Sequence, residues 1–437
     1  MIALGLDIGT TTICGTAVDS FDGRILKSVT LKNAFAPSKY SWERLQDPRD
    51  IMSSVISITE SMSAEFKISC IGVSGQMHGI LYVDKYGEAA SPLYTWQDKR
   101  GSFDYGEGSY ADYIGTKSGY GFATHFYNLK NSLIDSRAAA LCTIGDFAAM
   151  KLAGKTKPIL HQSNAASLGM YNLKERSFDY ASAEKYGICT DIFPETGGGI
   201  IGSRNKAAVA CAIGDNQASF IGAVRDMKRS VLVNIGTGSQ VSVYTEDMGT
   251  QGGFELRPCV YDGALMVGAP LCGGRAYAML KDFYIEALKM AGMKFDGDMY
   301  EKMIAGLKEG TESELDVITT FCGTRENPEI KGAILNIGTE NFTPHNLTLG
   351  VLNGIAQELY VMYEKMRSQR TELVASGNGV RKNKILQKIL ERKFGMKLHI
   401  PAHNEEAAYG AALYALTESG AFSELAEAQR RIRYEEE

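Results

Sequence analysis

Apolar residues near the start of the chain fall into two short runs around a polar centre. Ile2, Leu4 and Leu6 alternate with smaller residues, and Ile13–Val18 resumes a β-type composition. Between them lie Asp7, Gly9, Thr10, Thr11 and Thr12. The pattern predicts two strands joined by a tight turn. Two uses fit that turn equally. It can be the polar tip of an ordinary hairpin. It can also hold phosphate, because Gly9 lets the backbone approach a ligand and the threonines supply hydroxyl and N–H donors. Asp7, fixed at a strand end, could then hold Mg²⁺ through water.

The pattern continues with a turn at Asp22–Gly23 and a strand over Ile25–Leu31. Asp47 and Pro48 are a cap and a first-turn residue for a helix over Ile51–Phe66. Cys70–Ser74 reads as a buried strand running into Gly75-Gln76-Met77-His78-Gly79, with a strand resuming at Ile80–Val83. Loops that leave strand ends are where open α/β sheets bind ligands. The plainer reading makes His78 a hydrogen-bonded turn residue and Met77 core filler. Trp96, within Pro92–Asp98, could stack on a sugar or fill a core. A Gly/aromatic loop, Ser118–Thr124, precedes a helix with Asn128, Lys130 and Asn131, and Ile144–Lys151 forms another. Asp191–Gly202, with three consecutive glycines, reads as loop. Ala207–Cys211 is a strand that delivers Asp215 to a helix over Ala218–Val224, where it either faces a cleft or caps the helix.

A charged break at Arg225–Arg229 marks the expected domain junction. Strands over Ser230–Asn234 and Val241–Tyr244 then flank Ile235-Gly236-Thr237-Gly238-Ser239. Asn234-Ile235-Gly236-Thr237 echoes Asp7-Ile8-Gly9-Thr10 about half a chain later. Two such turns could clamp the phosphates of one nucleotide. Cys272-Gly273-Gly274-Arg275 leads into a helix over Ala276–Met290. Residues 291–320 read as a helical insertion, Phe321–Pro328 as a Gly/Pro loop and Leu349–Met366 as a long helix. A strand over Glu372–Ala375 runs into Ser376-Gly377-Asn378-Gly379, a turn able to lie against base, ribose or phosphate, and then a helix over Lys384–Phe394. The helix opened by Glu405–Ala412 is rich in small residues and suited to close packing, and Arg430–Glu437 reads as a solvated helix end.

Length and composition narrow the classes. A chain of 437 residues exceeds one ordinary core, so two domains are expected. A formal net charge of −5 points to neither nucleic acid nor a membrane surface. None of the eight cysteines forms a CxxC pair, and no signal-peptide pattern or membrane-length apolar run occurs, so a reduced, cytoplasmic protein is expected. P-loop, Rossmann, protein-kinase and nucleophile-elbow motifs are missing, as is any His/Cys cluster for a catalytic transition metal.

Six stretches taken in order resemble the FGGY carbohydrate kinases, within the actin-like and hexokinase-like ATPases: Asp7-Ile8-Gly9-Thr10-Thr11, Gly75–Gly79, Gly214-Asp215-Asn216-Gln217, Gly236-Thr237-Gly238-Ser239, Ser376-Gly377-Asn378-Gly379 and Glu406–Ala412. The resemblance implies an α/β fold of two actin-like (ribonuclease H-like) domains, each a mixed β-sheet flanked by helices, with the active site in the cleft between them. It implies a sugar-binding and catalytic domain over 1–224 and a nucleotide-binding domain over 225–437. ATP and Mg²⁺ would be the donor and its metal. Thr10, Thr11, Thr12, Gly236, Thr237, Gly273, Gly377, Asn378 and Asn383 would meet ATP, and Asp7 the metal. Gln76, Met77, His78, Trp96, Asp98, Asp215 and Asn216 would meet the sugar. Asp215 would act as general base, since an unperturbed aspartate with a pKa of ~3.9 is ionised at neutral pH.

The Gln-Met-His loop resembles that of xylulokinases and sedoheptulokinases, where glycerol kinases carry an Arg-Glu pair. Thr95–Asp98, Ser118–Gly121 and Gly273-Gly274 look more like sedoheptulokinases. The expected reaction is therefore phosphorylation of a ketose at a primary hydroxyl, sedoheptulose giving its 7-phosphate, with xylulose or another pentulose as the alternative. The turn at Gly377-Asn378-Gly379 departs from the Gly-Gly-Gly or Gly-Gly-Ala of many relatives. An actin-like nucleotide-binding module without sugar chemistry is the alternative of another class. It would keep the two hairpins but has no use for Asp215 and the Gln76–His78 loop. A monomer or homodimer is expected.

Overall fold

A computed structural model describes residues 1–249, 254–307, 312–324, 327 and 329–435. The opening pattern forms β1 (Ile2–Ile8) and β2 (Thr12–Asp19), an antiparallel hairpin continued by β3 (Ile25–Lys32). β4 (Ile68–Gly75) runs parallel to β1 and sets Ser74 beside Asp7. β5 (Ile200–Arg204), β6 (Ala207–Ala210) and β7 (Ile213–Gly214) complete a sheet of order β5-β6-β4-β1-β2-β3, with β7 also paired to β4. Ala3–Leu6 are buried at both parities, so the sheet is covered on two faces. α1 (Pro48–Glu65) lies on one of them, with Asp47 Oδ1 accepting from Arg49 N at 2.9 Å as its cap. α2 (Ile144–Leu152) is closed by a capping box of Thr143 and Asp146, and α3 (Asp215–Ala223) follows β7.

The second half repeats this plan. β8 (Ser230–Ile235), β9 (Ser239–Thr245), β10 (Glu255–Pro258), β11 (Ala264–Gly268), β12 (Glu372–Ser376) and β13 (Leu398–His399) form a sheet of order β10-β11-β9-β8-β12-β13. The run β13-β12-β8-β9-β11 matches β6-β4-β1-β2-β3 in order and direction. The echo reaches single residues: β8 pairs in parallel with β12 so that Asn234 faces Ser376, as Asp7 faces Ser74. α4 (Gly274–Met290), α5 (Pro344–Lys365) and α6 (Lys384–Phe394) belong to this half.

α7 (Glu406–Glu418) crosses back to the first sheet. A Cβ on Gly5 would stand 1.8 Å from the Ala408 carbonyl oxygen, and one on Gly72 would stand 1.9 Å from that of Ala411. Strand and helix backbones touch there because no side chain separates them. α7 also crosses α3 reciprocally. A Cβ on Gly222 would lie 2.1 Å from Glu406 O, and one on Gly410 would lie 1.9 Å from Ala218 O. Each glycine faces the carbonyl four residues before the other. Around this crossing an apolar cluster joins Ala3, Val18 and Cys70 of the first sheet to Leu232 and Val374 of the second.

Three expectations change. The described part of residues 291–320 contains a helix at Met299–Ile304, but Asp316–Ile318 is a strand paired with Ala333–Leu335. Val317 is buried between two exposed neighbours, a period of two that overrides helical composition. Ile200 and Ile201 extend a strand out of the Gly-rich stretch, and the register shifts between Ile200 and Gly202, where the Ala153 backbone leaves no space for a side chain. The tail from Arg430 is not a solvated helix end: Ile432 and Tyr434 are buried alternately with exposed Arg431 and Arg433, and Tyr434 bridges to Pro401. Within these stretches and the expected Phe321–Pro328 loop, residues 308–311, 325, 326, 328, 436 and 437 lie outside the described residues. No helix among the described residues is long and apolar enough to cross a membrane.

Gly410→Ala is expected to lower stability by about 1–3 kcal/mol or more, since a backbone carbonyl must move to admit the methyl. Gly236→Ala, whose Cβ meets nothing within 4 Å, should stay within about 0.5 kcal/mol of wild type. Urea unfolding midpoints measure both, and equal midpoints would show that the helix crossing is not tight.

Candidate active site

The first hairpin turns at Gly9–Thr11, closed by a Gly9 N–H bond to Thr12 O at 2.9 Å. Its tip is braced from behind. Asn33 Nδ2 donates to Gly9 O at 2.8 Å and Gln46 Nε2 to Thr10 O at 2.8 Å. The Thr10 hydroxyl donates to Gln76 Oε1 at 3.2 Å and accepts from Trp96 Nε1 at 3.1 Å. Thr10 is thus tied through its side chain to Gln76 and Trp96, two residues expected at the sugar. Thr11 and Thr12 are exposed. Among the described residues nothing accepts from the Thr10 or Thr11 amide, which leaves both donors for a ligand.

The second hairpin is held by glycines of other turns. Gly236 N–H donates to Gly238 O at 3.0 Å, and Thr237 and Gly238 are exposed. A Cβ on Gly273 would stand 2.5 Å from the Gly238 carbonyl carbon, and one on Gly274 would stand 2.0 Å from Gly236 O. Gly377, at φ +90°, would bring a Cβ to 2.5 Å from Ile235 O. Gly273 and Gly377, both expected at the nucleotide, therefore also allow the backbone contacts that fix this hairpin. Asn378 is exposed beside them. Asn383 is buried and caps α6, its Oδ1 accepting from Leu386 N at 3.0 Å.

Asp7 and Asp215 come together from the ends of β1 and β7. Ser74 Oγ donates to Asp7 Oδ1 at 2.6 Å, leaving Oδ2 toward the Gly9 turn. Burial raises the Asp7 carboxyl to about 6, the Ser74 bond opposing it and Glu405 adding to it. Burial and then the Asp7 charge push Asp215 to about 7, while Arg257 and the Asn216 amide pull it down. Asp215 is the first residue of α3 rather than its cap, which is Gly214. Met77 Sδ would lie 2.7 Å from a Cβ on Gly214, so the Met77 loop packs directly against the backbone that presents Asp215.

The other residues expected at the sugar divide. His78 has φ +71°, a conformation uncommon outside glycine. Ser167 holds it there, its Oγ accepting from His78 N at 3.1 Å and its carbonyl taking the Nδ1 proton at 2.8 Å. Because a carbonyl only accepts, Nδ1 carries the hydrogen. Burial, then Arg257, depress the ring to about 4, so it is neutral at pH 7 with Nε2 as an acceptor. The Tyr120 ring stacks on it at 4.3 Å. Trp96 is 47% exposed, its indole available for stacking. Asn216 Oδ1 is buried without a partner among the described residues. Gln76 is buried, both ends of its amide used between Thr10 and Gln46, so it links loop and hairpin.

Asp98 is not at an acceptor surface. Its Oδ1 accepts from Arg100 N at 3.1 Å and Nε at 2.7 Å, and its Oδ2 from Arg44 N at 3.0 Å and Arg100 Nη2 at 3.2 Å. With four donors on a buried carboxylate no lone pair is left for a sugar. The pair instead anchors the Trp96 loop, since Arg100 continues to Asn128 Oδ1 at 2.7 Å and lies over the Tyr94 ring at 4.2 Å.

Sequence reasoning missed a polar group from the second sheet. Glu255 of β10 accepts from Arg257 Nε at 2.8 Å, Tyr120 OH at 3.0 Å and Lys117 Nζ at 3.1 Å. Burial pulls the Glu255 carboxyl up, but Arg257 and Lys117 outweigh it and hold it well below the ordinary range. The Glu-x-Arg spacing on a strand was the available signal, because residues two apart share a face. The charge on Arg257 reaches both His78 and Asp215.

Residues 2–233 match the N-terminal domain of the FGGY family of carbohydrate kinases, and residues 236–419 match its C-terminal domain. A sedoheptulokinase from Mus musculus is 26% identical, the match covering 95% of this chain and 97% of the relative. A xylulose kinase from Staphylococcus epidermidis is 24% identical over 95% of this chain and 87% of its own. The crystal structure of a ligand-bound xylulose kinase from Lactobacillus acidophilus shares the fold, with a TM-score of 0.82 at 17% identity over 99% of this chain and 92% of that one. With both domain matches spanning most of the chain and in order, the protein belongs to the FGGY family of carbohydrate kinases.

Proposed function

We propose that this kinase transfers the γ-phosphoryl group of Mg-ATP to a primary hydroxyl of a ketose, with sedoheptulose as the acceptor and Asp215 as general base. The observation that supports this reading is that Asp215 lies within reach of the Asp7 charge, with Met77 packed on the backbone that presents it and Asp7 Oδ2 toward the Gly9 turn. Asp215 accepts the proton of the attacking hydroxyl. His78 Nε2 accepts a hydrogen bond from a second hydroxyl, Trp96 offers an apolar face, and the amides of Thr10, Thr11 and Thr237 hold phosphate oxygens. Sedoheptulose is favoured by the likeness to the mouse enzyme, which spans nearly both chains.

Among the described residues no cluster of three or more His, Cys, Asp or Glu side chains could hold a metal ion. That suits Mg²⁺, which keeps most of its waters and binds through one or two carboxylates plus substrate phosphates. Asp7 fits: Ser74 fixes one carboxylate oxygen and leaves the other toward the Gly9 turn. When bound, Mg²⁺ would supply charge neutralisation for the transferring phosphoryl group.

Three measurements test the reading. ADP release from Mg-ATP should require an acceptor and be fastest with sedoheptulose in a panel that also holds xylulose, ribulose and glycerol. A faster rate with xylulose moves the assignment to that sugar, and acceptor-independent release removes the kinase reading. Asp215→Asn should keep nucleotide affinity and lose about 10²–10⁴-fold in kcat; near-normal turnover would exclude Asp215 as the base. Only ionised Asp215 can take a proton, and in the free enzyme it ionises near 7. The ionised fraction grows as pH rises, so kcat/KM should climb through an acid limb centred near pH 7 and level off above it. A limb at the ordinary carboxylate value of ~3.9 would contradict the environment described for Asp215.

A further inference from the structure

The acceptor-side residues considered so far come from the first half of the chain. The second half contributes no aligned motif to that side, yet β10 brings an ion pair to it. Glu255 and Arg257 lie opposite Val267 and Leu265 on β11 and leave the same face of the strand. Glu255 fixes the Arg257 side chain at Nε. It also receives Tyr120 OH and Lys117 Nζ from the first half, and Tyr120 is the ring stacked on His78.

The strand is tied down at its other end as well. Pro258 O accepts from Gln217 Nε2 at 2.9 Å, two residues beyond Asp215, and Cys259 O accepts from Gln162 Nε2 at 2.7 Å. Arg257 therefore stands between two anchors, one beside His78 and one beside the base-bearing helix. Its side chain is 15% exposed, and among the described residues its Nη groups have no hydrogen-bond acceptor. Its charge reaches both flanking groups, depressing His78 and opposing the rise of Asp215.

We infer that Arg257 is an acceptor-binding residue supplied by the second half of the chain, its Nη groups donating to sugar oxygens between the His78 and Asp215 positions while Glu255 holds its Nε. The class of ligand follows from the donors. A planar cation with two free amino groups suits adjacent oxygens of a polyhydroxy ketone, and His78 Nε2 beside it suits a hydroxyl hydrogen. An acceptor held this way bridges both halves, so binding it draws them together. This inference rests on the sugar-kinase reading above.

The test compares wild type with Arg257→Gln and Arg257→Lys, using the best acceptor from the panel. Arg257→Gln should raise the acceptor KM by about ten- to a hundredfold, as expected for loss of hydrogen bonds from a charged donor. The KM for Mg-ATP and the affinity for Mg-ADP should stay within about twofold. Arg257→Lys keeps the charge without the fork and should fall between the two. An unchanged acceptor KM, or a loss confined to kcat, overturns the inference. If Arg257→Gln fails to fold by circular dichroism, Arg257→Lys decides alone: an acceptor KM at the wild-type value overturns the inference and one raised threefold or more supports it. Absence of acceptor-dependent turnover in wild type would instead sink the kinase reading, so the two failures are distinguishable.

Discussion

The structure depends on one contact without side chains, the crossing of α3 and α7 at Gly222 and Gly410. Each glycine meets a backbone carbonyl of the other helix where a methyl group could not fit. α3 begins with Asp215, and α7 lies on β1 and β4, which carry Asp7 and Ser74. The crossing therefore fixes the helix that presents one carboxylate against the sheet that presents the other. Its reciprocal geometry matches the repeated sheet order, so one packing solution serves two halves. Interiors this close-packed move as units.

Charge is arranged around that seam with the same economy. Asp7 and Asp215 are half-buried near each other, and the Asp7 charge raises the cost of ionising Asp215. The first half keeps both by giving Asp7 the Ser74 hydroxyl, while Arg257 arrives from the second half to offset Asp215. In the second hairpin the matching position is Asn234, which donates to Ser376 at 2.8 Å. A neutral amide there leaves the second hairpin without the carboxylate that Asp7 gives the first. The two hairpins share their strand pairing and differ in this one group.

The strands, the helix caps and the echo of the first hairpin in the second were legible because each rests on local chemistry. Asp47 caps α1, the Gly-Thr turns close where small residues allow, and β-branched residues extend the strands. The strand at Ile200 and the folded-back tail were not legible. Glycines obscured the first, and charges at Arg430, Arg431 and Arg433 obscured the buried Ile432 and Tyr434. His78, Met77 and Asp215 stand where their motifs put them, at a strand-end loop and a helix start. Asp98 and Gln76 sat in motifs too, but their partners Arg100, Arg44, Gln46 and Thr10 turn them inward, and a motif does not report what a side chain faces.

The sequence by itself determined the two hairpins, the placing of Asp7 and Asp215 at strand ends and the family to which the chain belongs. Each follows from residue type and spacing within a few positions. Only the tertiary structure decided that Glu255 meets Tyr120 and Lys117 while the Arg257 charge reaches His78 and Asp215, that Asp98 is a buried anchor, and that Gly222 and Gly410 share one contact. These depend on groups far apart in the chain, brought together by packing whose distances no local pattern encodes.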